Sequence, residues 1–156
     1  MKTLIVYTSK TGVTADCANK LASLISTADC INLDSKETIH LQNYDQIILG
    51  SSVYVGMIRK SLKQFITTYH DELLTKHVSL FTCGANDKIN HTTDLMSSIP
   101  ADILNHLEHT GYFGWDFRKE KLGFFSRFVM KKIQEKENLI PGIQEAAITK
   151  FSQSVA

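Results

Sequence analysis

The feature that most constrains this chain is an alternation along its length. Short, almost wholly apolar runs are separated by stretches whose apolar residues recur three or four positions apart. Thr3 to Thr8 contains Leu4-Ile5-Val6-Tyr7 and ends in a Ser/Thr/Gly cluster, as a strand buried on both faces does. From Val13 the period becomes helical, through Cys17, Leu21, Leu24 and Ile25. Cys30 to Leu33, Gln46 to Ser51 and His77 to Cys83 read as the second, third and fourth strands, and Gly111 to Trp115 as the fifth. Ile58, Leu62, Phe65, Ile66, Tyr69 and Leu73 mark one amphipathic helix between strands three and four. Further helices are predicted at Asp102 to His109, Leu122 to Glu135 and Ile143 to Ser154, two of them preceded by Pro100 and Pro141. Strands alternating with helices of this length build βαβ units with right-handed crossovers and a parallel sheet. The expectation is one doubly wound α/β domain of five strands over residues 1–156, without internal repeat or linker.

A chain of 156 residues is long enough for one such core, since a domain of this size buries roughly 70% of its unfolded surface. Seventeen basic and sixteen acidic side chains leave a net charge of +1. That near-neutrality implies neither an acidic decoy nor a nucleic-acid binder, which carries a basic footprint. Cys17, Cys30 and Cys83 are odd in number and lack C-x-x-C spacing, so reduced thiols in a cytoplasmic protein are expected. The apolar run after Lys2 is too short for a signal peptide, and none approaches the ~18 residues of a membrane span.

In doubly wound sheets the ligand lies beyond the carboxyl ends of the strands, where the strand order reverses. The segments to inspect therefore follow strands one, three and four. The first, Tyr7-Thr8-Ser9-Lys10-Thr11-Gly12-Val13-Thr14, runs directly into a helix. A helix N-terminus presents unpaired N–H groups and the positive end of its dipole. Ser9, Thr11 and Thr14 add hydroxyls, and Gly12 permits close backbone approach, so the segment suits a phosphate ester. It is neither a Walker A loop nor G-x-G-x-x-G, having a single glycine. The alternative is that its hydroxyls only cap the helix.

The same segment resembles the flavodoxin signature, with Tyr7, Ser9, Gly12, Thr14 and Ala18 filling its aromatic, Ser/Thr, Gly, Thr and Ala places. The resemblance implies a flavodoxin-like fold, strand order 2-1-3-4-5, with FMN as cofactor. Its phosphate would be held by Ser9, Lys10, Thr11, Gly12, Val13 and Thr14, mainly through backbone and hydroxyl dipoles because the loop has no arginine. Ser51, Ser52, Val53, Tyr54, Val55 and Gly56 would cover one face of the flavin ring, with Tyr54 where such proteins often carry a stacking aromatic. The alternative is a Tyr54 that is only a rim or core aromatic. Flavodoxins often place glycine directly after that aromatic, where this chain has Val55, with Gly56 one later. Thr82, Cys83, Gly84 and Asp87 would border the pyrimidine edge, Cys83 packing against the ring. A catalytic cysteine would need a partner base, which the sequence does not offer.

The segment at about 112–137 distinguishes this chain. Gly111-Tyr112-Phe113-Gly114-Trp115-Asp116-Phe117 leads into a helix on which Leu122, Phe125, Val129 and Ile133 form one stripe and Phe124 and Phe128 another row. Phe117 to Glu137 carries seven basic and three acidic residues, +4, leaving ten basic against thirteen acidic, −3, elsewhere. Apolar rows beside concentrated positive charge suit peripheral contact of the Leu122–Ile133 helix with a membrane surface, or a lipophilic partner. The alternative is a core helix with a solvated basic face. The segment resembles the insert of the menaquinone-dependent protoporphyrinogen oxidases, a flavodoxin-fold family, through Arg127-Phe128-Val129-Met130-Lys131. Met1-Lys2-Thr3-Leu4-Ile5 and Asn43-Tyr44-Asp45 are similar as well. That resemblance implies electron transfer from a reduced organic donor through FMN to a quinone-like acceptor.

Two other classes stand beside this reading. A short-chain flavodoxin would carry electrons between redox-protein partners, and would favour an acidic docking face that +1 does not supply. A flavin-free binding domain on the same fold would be colourless. No side chain is singled out as a catalytic acid or base. His106 and His109, i and i+3 on the predicted helix, lack a third ligand, so no metal site is expected.

Overall fold

Leu4 and Val6 point to one side of the first strand and Ile5 and Tyr7 to the other, and all four are buried. That double burial dictates a strand with a helical layer on each face. The structure, a computed structural model, describes residues 1–35, 37–54, 56–84, 97–116, 118, 121, 123–137 and 141–156. Its order is β1 (Thr3–Thr8), α1 (Val13–Leu24), β2 (Ala28–Asn32), β3 (Gln46–Tyr54), β4 (Met57–Ile58), α2 (Lys60–Thr68), α3 (His70–Leu73) and β5 (His77–Cys83). There follow α4 (Ala101–His106), β6 (Leu107–Tyr112), β7 (Gly114–Trp115), α5 (Phe124–Glu137), β8 (Gly142–Ile143) and α6 (Glu145–Ser154).

The main sheet runs β2-β1-β3-β5-β6, all parallel, with β4 folded back antiparallel on β3. This is the doubly wound order anticipated for five principal strands. One face packs Leu4, Val6, Ile47 and Leu49 against Leu62, Ile66, Leu73 and Ile103 from α2, α3 and α4. The other packs Ile5, Tyr7, Ile48 and Phe81 against Cys17, Leu21, Ile148 and Phe151 from α1 and α6. Gly50 is glycine for space: an added Cβ would lie 2.4 Å from Cζ of Phe81. Phe81 in turn stacks on Phe113 at 4.6 Å. At the buried base of the sheet, Thr3 donates to Gln46 Oε1 at 2.8 Å, and Gln46 Nε2 donates to the Val155 carbonyl at 3.0 Å.

Several boundaries differ from the sequence expectation. The fifth strand is Leu107–Tyr112 rather than Gly111 to Trp115, and the preceding helix stops at His106 rather than His109. An edge strand needs only one apolar face, and Leu107-Glu108-His109-Thr110 lacks the apolar run of a central strand. His106 and His109 consequently sit on different elements, His106 Nε2 lying 2.8 Å from the Lys76 carbonyl. No group of potential metal ligands exists among the described residues. The helix expected through Ile58 and Leu73 is divided at Tyr69, and Ile58 belongs to β4.

α3 and α4 are joined by His70, whose Nδ1 lies 3.0 Å from Asp71 and whose Nε2 lies 2.8 Å from Asp102. The hydrogen bond to Asp71, reinforced by Asp102, raises the imidazole above its ordinary pKa. A proton held more tightly in the folded state stabilises it fully below the unfolded value of about 6.5, and that gain disappears as pH rises through the raised folded pKa. His70→Gln is expected to flatten the decline of Tm across this window, checked by thermal melts at a series of pH values. An unchanged slope would remove His70 from that role.

Candidate functional site

Three strand ends meet at one edge of the sheet. β1 is flanked by β2 and β3, so the direction of winding reverses there and a crevice opens beside its carboxyl end. Thr8 pairs in register with Ser51, and Ser52 with Cys83. The segments that follow are thus neighbours at the ~4.8 Å spacing of adjacent strands.

The first segment makes a tight turn into α1. Gly12 occupies the N-cap with φ 94°, a left-handed conformation that glycine adopts without strain. Its N–H donates to Ser9 Oγ at 3.0 Å, and its carbonyl accepts the N–H of Asp16 at 3.0 Å as the helix begins. No side chain caps α1 by hydrogen bond, so Ser9 braces the turn instead. Thr8 and Thr14 are buried, and their hydroxyls find no hydrogen-bond partner among the described residues. Buried hydroxyls are normally partnered; the described residues leave these two without a bond of ordinary geometry, that of Thr14 lying beside the Cys83 thiol.

The segment after the third strand is a hairpin rather than a loop. β3 continues through Ser51, Ser52, Val53 and Tyr54, and β4 returns with Val53 opposite Ile58 and Tyr54 opposite Met57. Gly56, at φ 73°, makes the turn. Val55 lies outside the described residues, and Tyr54 is placed by its backbone. Ser51 is buried and committed internally, accepting the N–H of Arg59 at 3.1 Å and donating to the Ser52 carbonyl at 2.9 Å. Ser52 is half-buried, whereas Val53, expected against the flavin ring, is buried in the core beside Ile58 and Leu62.

At the end of β5, Thr82 is buried with a hydroxyl that has no hydrogen-bond partner among the described residues, while its carbonyl accepts the N–H of Phe113 at 3.0 Å. Gly84 donates its N–H to the Gly114 carbonyl at 3.1 Å and accepts from the Tyr112 hydroxyl. Asp87 lies outside the described residues. Cys83 turns inward beside Cys17 and Thr14 rather than to the rim, so it reaches the edge through its backbone. Its hydrogen-bonded contact with Cys17, together with burial, drives the thiol well above its ordinary pKa. Burial likewise pushes Cys30 up to about 11. Neither is a thiolate nucleophile at neutral pH.

The largest addition to the sequence reading comes from the segment between β6 and α6. β7 and β8 pair antiparallel, Gly114 opposite Ile143 and Trp115 opposite Gly142, and so close its base as a two-stranded clasp. Gln144 N–H adds a bond to the Phe113 carbonyl at 2.9 Å. Just beyond the clasp, Arg118 returns over the first segment. Its Nη2 lies 2.6 Å from Asp16 Oδ2, in the first turn of α1, and its Nε lies 3.4 Å from Asp116 Oδ2. The side chain is only 19% exposed, and Asp16 chiefly raises its pKa. A Cβ placed on Gly12 would meet Arg118 Nη1 at 2.9 Å and Lys121 Nζ at 3.4 Å. Two cations from a distant segment thus stand over a turn whose own residues include only Lys10. The available signal was the +4 excess of the insert, but charge counting does not say where a distant segment folds.

Beyond these residues, α5 presents Phe124, Phe125 and Phe128 at 90%, 77% and 54% exposure. Lys132 Nζ lies 4.6 Å from the Phe128 ring. The described side chains of α5 are exposed or half-buried, none fully buried.

A parallel sheet in this order, with a glycine turn into a helix at its switch point, is a flavodoxin-like α/β arrangement. A profile of the flavodoxin-domain family matches residues 4–138, and the chain belongs to that family. It is 30% identical over 77 residues to Protoporphyrinogen IX dehydrogenase (quinone) of Escherichia coli K12, a match covering 47% of this chain and 42% of that protein. It is 31% identical over 118 residues to the flavodoxin-like domain-containing protein BilS of Clostridioides difficile, covering 72% of this chain and 64% of the relative. The matched regions thus span about half to two thirds of these relatives' lengths. Among solved structures, a Lactobacillus acidophilus flavoprotein in complex with FMN superposes with TM-score 0.58 at 20% identity, over 71% of this chain and 92% of that one. A WrbA-like flavodoxin from Agrobacterium tumefaciens superposes with TM-score 0.57 at 16% identity, over 86% and 98%. These structural likenesses establish the fold.

Proposed function

We propose that this chain binds FMN at the switch-point edge and works as a flavin-dependent oxidoreductase. The observation that carries this reading is the left-handed Gly12 turn between Thr8, at the end of β1, and Thr14, at the start of α1, whose buried hydroxyls have no hydrogen-bond partner of ordinary geometry among the described residues. Those features fit a phosphate ester, and the family supplies the flavin. Ser9, Lys10, Thr11, Gly12, Val13 and Thr14 would hold the phosphate, through hydroxyls and the N–H groups that a helix start leaves unpaired. The hairpin residues Ser52, Tyr54, Val55 and Gly56 would flank the ring, with Ser51 bracing them from beneath. Thr82, Cys83, Gly84 and Asp87 would border its edge, Cys83 and Gly84 by backbone. When bound, FMN supplies the redox chemistry, taking electrons from a donor and releasing them to an acceptor. The protein's part is to bind and orient that group and to control what reaches it.

A reduced organic donor and a quinone-like acceptor are the partners we favour, supported by the partial similarity to the dehydrogenase. The exposed phenylalanines of α5, beside Arg127, Lys131 and Lys132, pair apolar surface with positive charge. That pairing suits peripheral contact with an anionic lipid surface, where lipophilic quinones reside. No helix among the described residues is long and apolar enough to cross a membrane. The second reading is electron carriage between redox proteins, favoured by the longer match to a flavodoxin-like relative.

The visible absorption spectrum of the purified protein, before and after FMN addition, tests the cofactor. Flavin bands with about one FMN per chain are expected. A colourless protein that leaves FMN fluorescence unquenched would overturn both redox readings. Protoporphyrinogen oxidation with a menaquinone analogue then separates dehydrogenase from carrier.

A further inference from the structure

Two cations of the segment beyond the clasp stand over the start of α1, one of them, Arg118, charge-balanced by Asp16 and Asp116. Arg118 and Lys121 are gathered over Gly12, at the N-terminal end of α1, where the aligned peptide dipoles are already positive. Asp16 and Asp116 pair with Arg118 through Nη2 and Nε, which leaves Nη1 as the nitrogen turned to the turn. The guanidinium is held there from two sides and largely sheltered from solvent. An anion at the turn would meet Arg118 Nη1, Lys121 Nζ and the positive end of the helix dipole together. The buried hydroxyl of Thr14, in the first turn of α1 and without a hydrogen bond of ordinary geometry among the described residues, is a second sign that a polar ligand belongs there.

We propose that Arg118 and Lys121 form a cationic cover over the phosphate turn, so that the insert is part of the cofactor site and selects the phosphorylated flavin. The inference rests on the FMN reading and deepens it. A phosphate monoester carries close to two negative charges at neutral pH and offers three strong acceptor oxygens. An arginine fork anchored on carboxylates presents a preset donor edge to such a group, and a lysine adds a point charge beside it. The cover contacts the phosphate end and not the ring. It therefore governs discrimination between FMN and riboflavin, which differ only in that ester.

The test is fluorescence titration of the apoprotein with FMN and with riboflavin, in the wild type, Arg118→Gln, Lys121→Gln and the double variant. Losses in FMN affinity of about tenfold for each and roughly a hundredfold for the double variant are expected, with riboflavin affinity unchanged. The salt dependence of FMN binding is expected to weaken in the double variant. Arg118→Lys, keeping the charge but not the fork, is expected to recover part of the affinity. Equal losses for FMN and riboflavin, or no loss for either, would overturn the proposal. Should the wild type bind no flavin, inorganic phosphate separates the two claims. A phosphate-induced rise in Tm that the double variant lacks would support the cation cover while the FMN reading fails. No such rise would overturn both.

Discussion

Gly12→Ala is expected to weaken FMN binding by roughly a hundredfold while lowering Tm by only about 2–8 °C. The small effect on stability has two causes. An alanine at φ 94° carries a left-handed penalty of about 1–2 kcal/mol. Its Cβ would otherwise meet only the far ends of Arg118 and Lys121, which can swing aside. The large effect on binding has the same geometric origin. The methyl group would stand between the turn and the two cations, displacing the groups that we assign to the phosphate and obstructing backbone approach. Gly12→Asn separates strain from obstruction, because asparagine tolerates the left-handed region but adds still more bulk. It should melt closer to the wild type and bind FMN no better than alanine. FMN affinity close to wild type in both variants would place the phosphate elsewhere.

Gly114→Ala should be the most damaging glycine substitution for the fold. Gly114 has φ 88°, and an added Cβ would lie 2.1 Å from the Gly142 carbonyl oxygen. That neighbour is backbone on the paired strand, so the collision cannot be relieved by a rotamer change. The left-handed penalty of about 1–2 kcal/mol adds to an overpacking cost of about 1–3 kcal/mol. A loss near 3 kcal/mol lowers Tm by about 6–12 °C at this chain length. FMN binding should weaken as well, because the Gly114 carbonyl holds the N–H of Gly84 and Arg118 lies four residues beyond. Gly123→Ala is the matched control, since no atom of the described residues lies within 4 Å of its added Cβ. If the two variants melted alike, the clasp would not be closed in the way described.

The central strands were legible because a strand buried on both faces must be apolar throughout. Thr3–Thr8 and His77–Cys83 could be bounded to the residue for that reason. Leu107–Tyr112 was less legible, since its edge position allows Glu108 and Thr110 to interrupt any apolar run. The continuation of β3 through Ser51 and Ser52 was hidden by residue types that also favour turns. At the site, the spacing of Ser9, Gly12 and Thr14 could be read locally, because a turn into a helix is a local structure. The approach of Arg118 to Asp16 could not. It joins residues 102 positions apart and depends on where the clasp aims the chain.

The clasp also bears on how such a chain can diversify. Trp115 and Gly142 face one another across a single strand spacing, so the chain enters and leaves the intervening segment at nearly the same point. Doubling the length of a segment closed in this way costs only about 0.6 kcal/mol in closure entropy. Everything distal to Lys121 can therefore be lengthened, shortened or exchanged with little consequence for the sheet. The few residues nearest the neck are not free to drift in the same way, because they are tied to Asp16 and stand over Gly12. The fold thus carries a segment open to exchange at its outer helix, while Arg118 at its root stays tied to the first turn of α1.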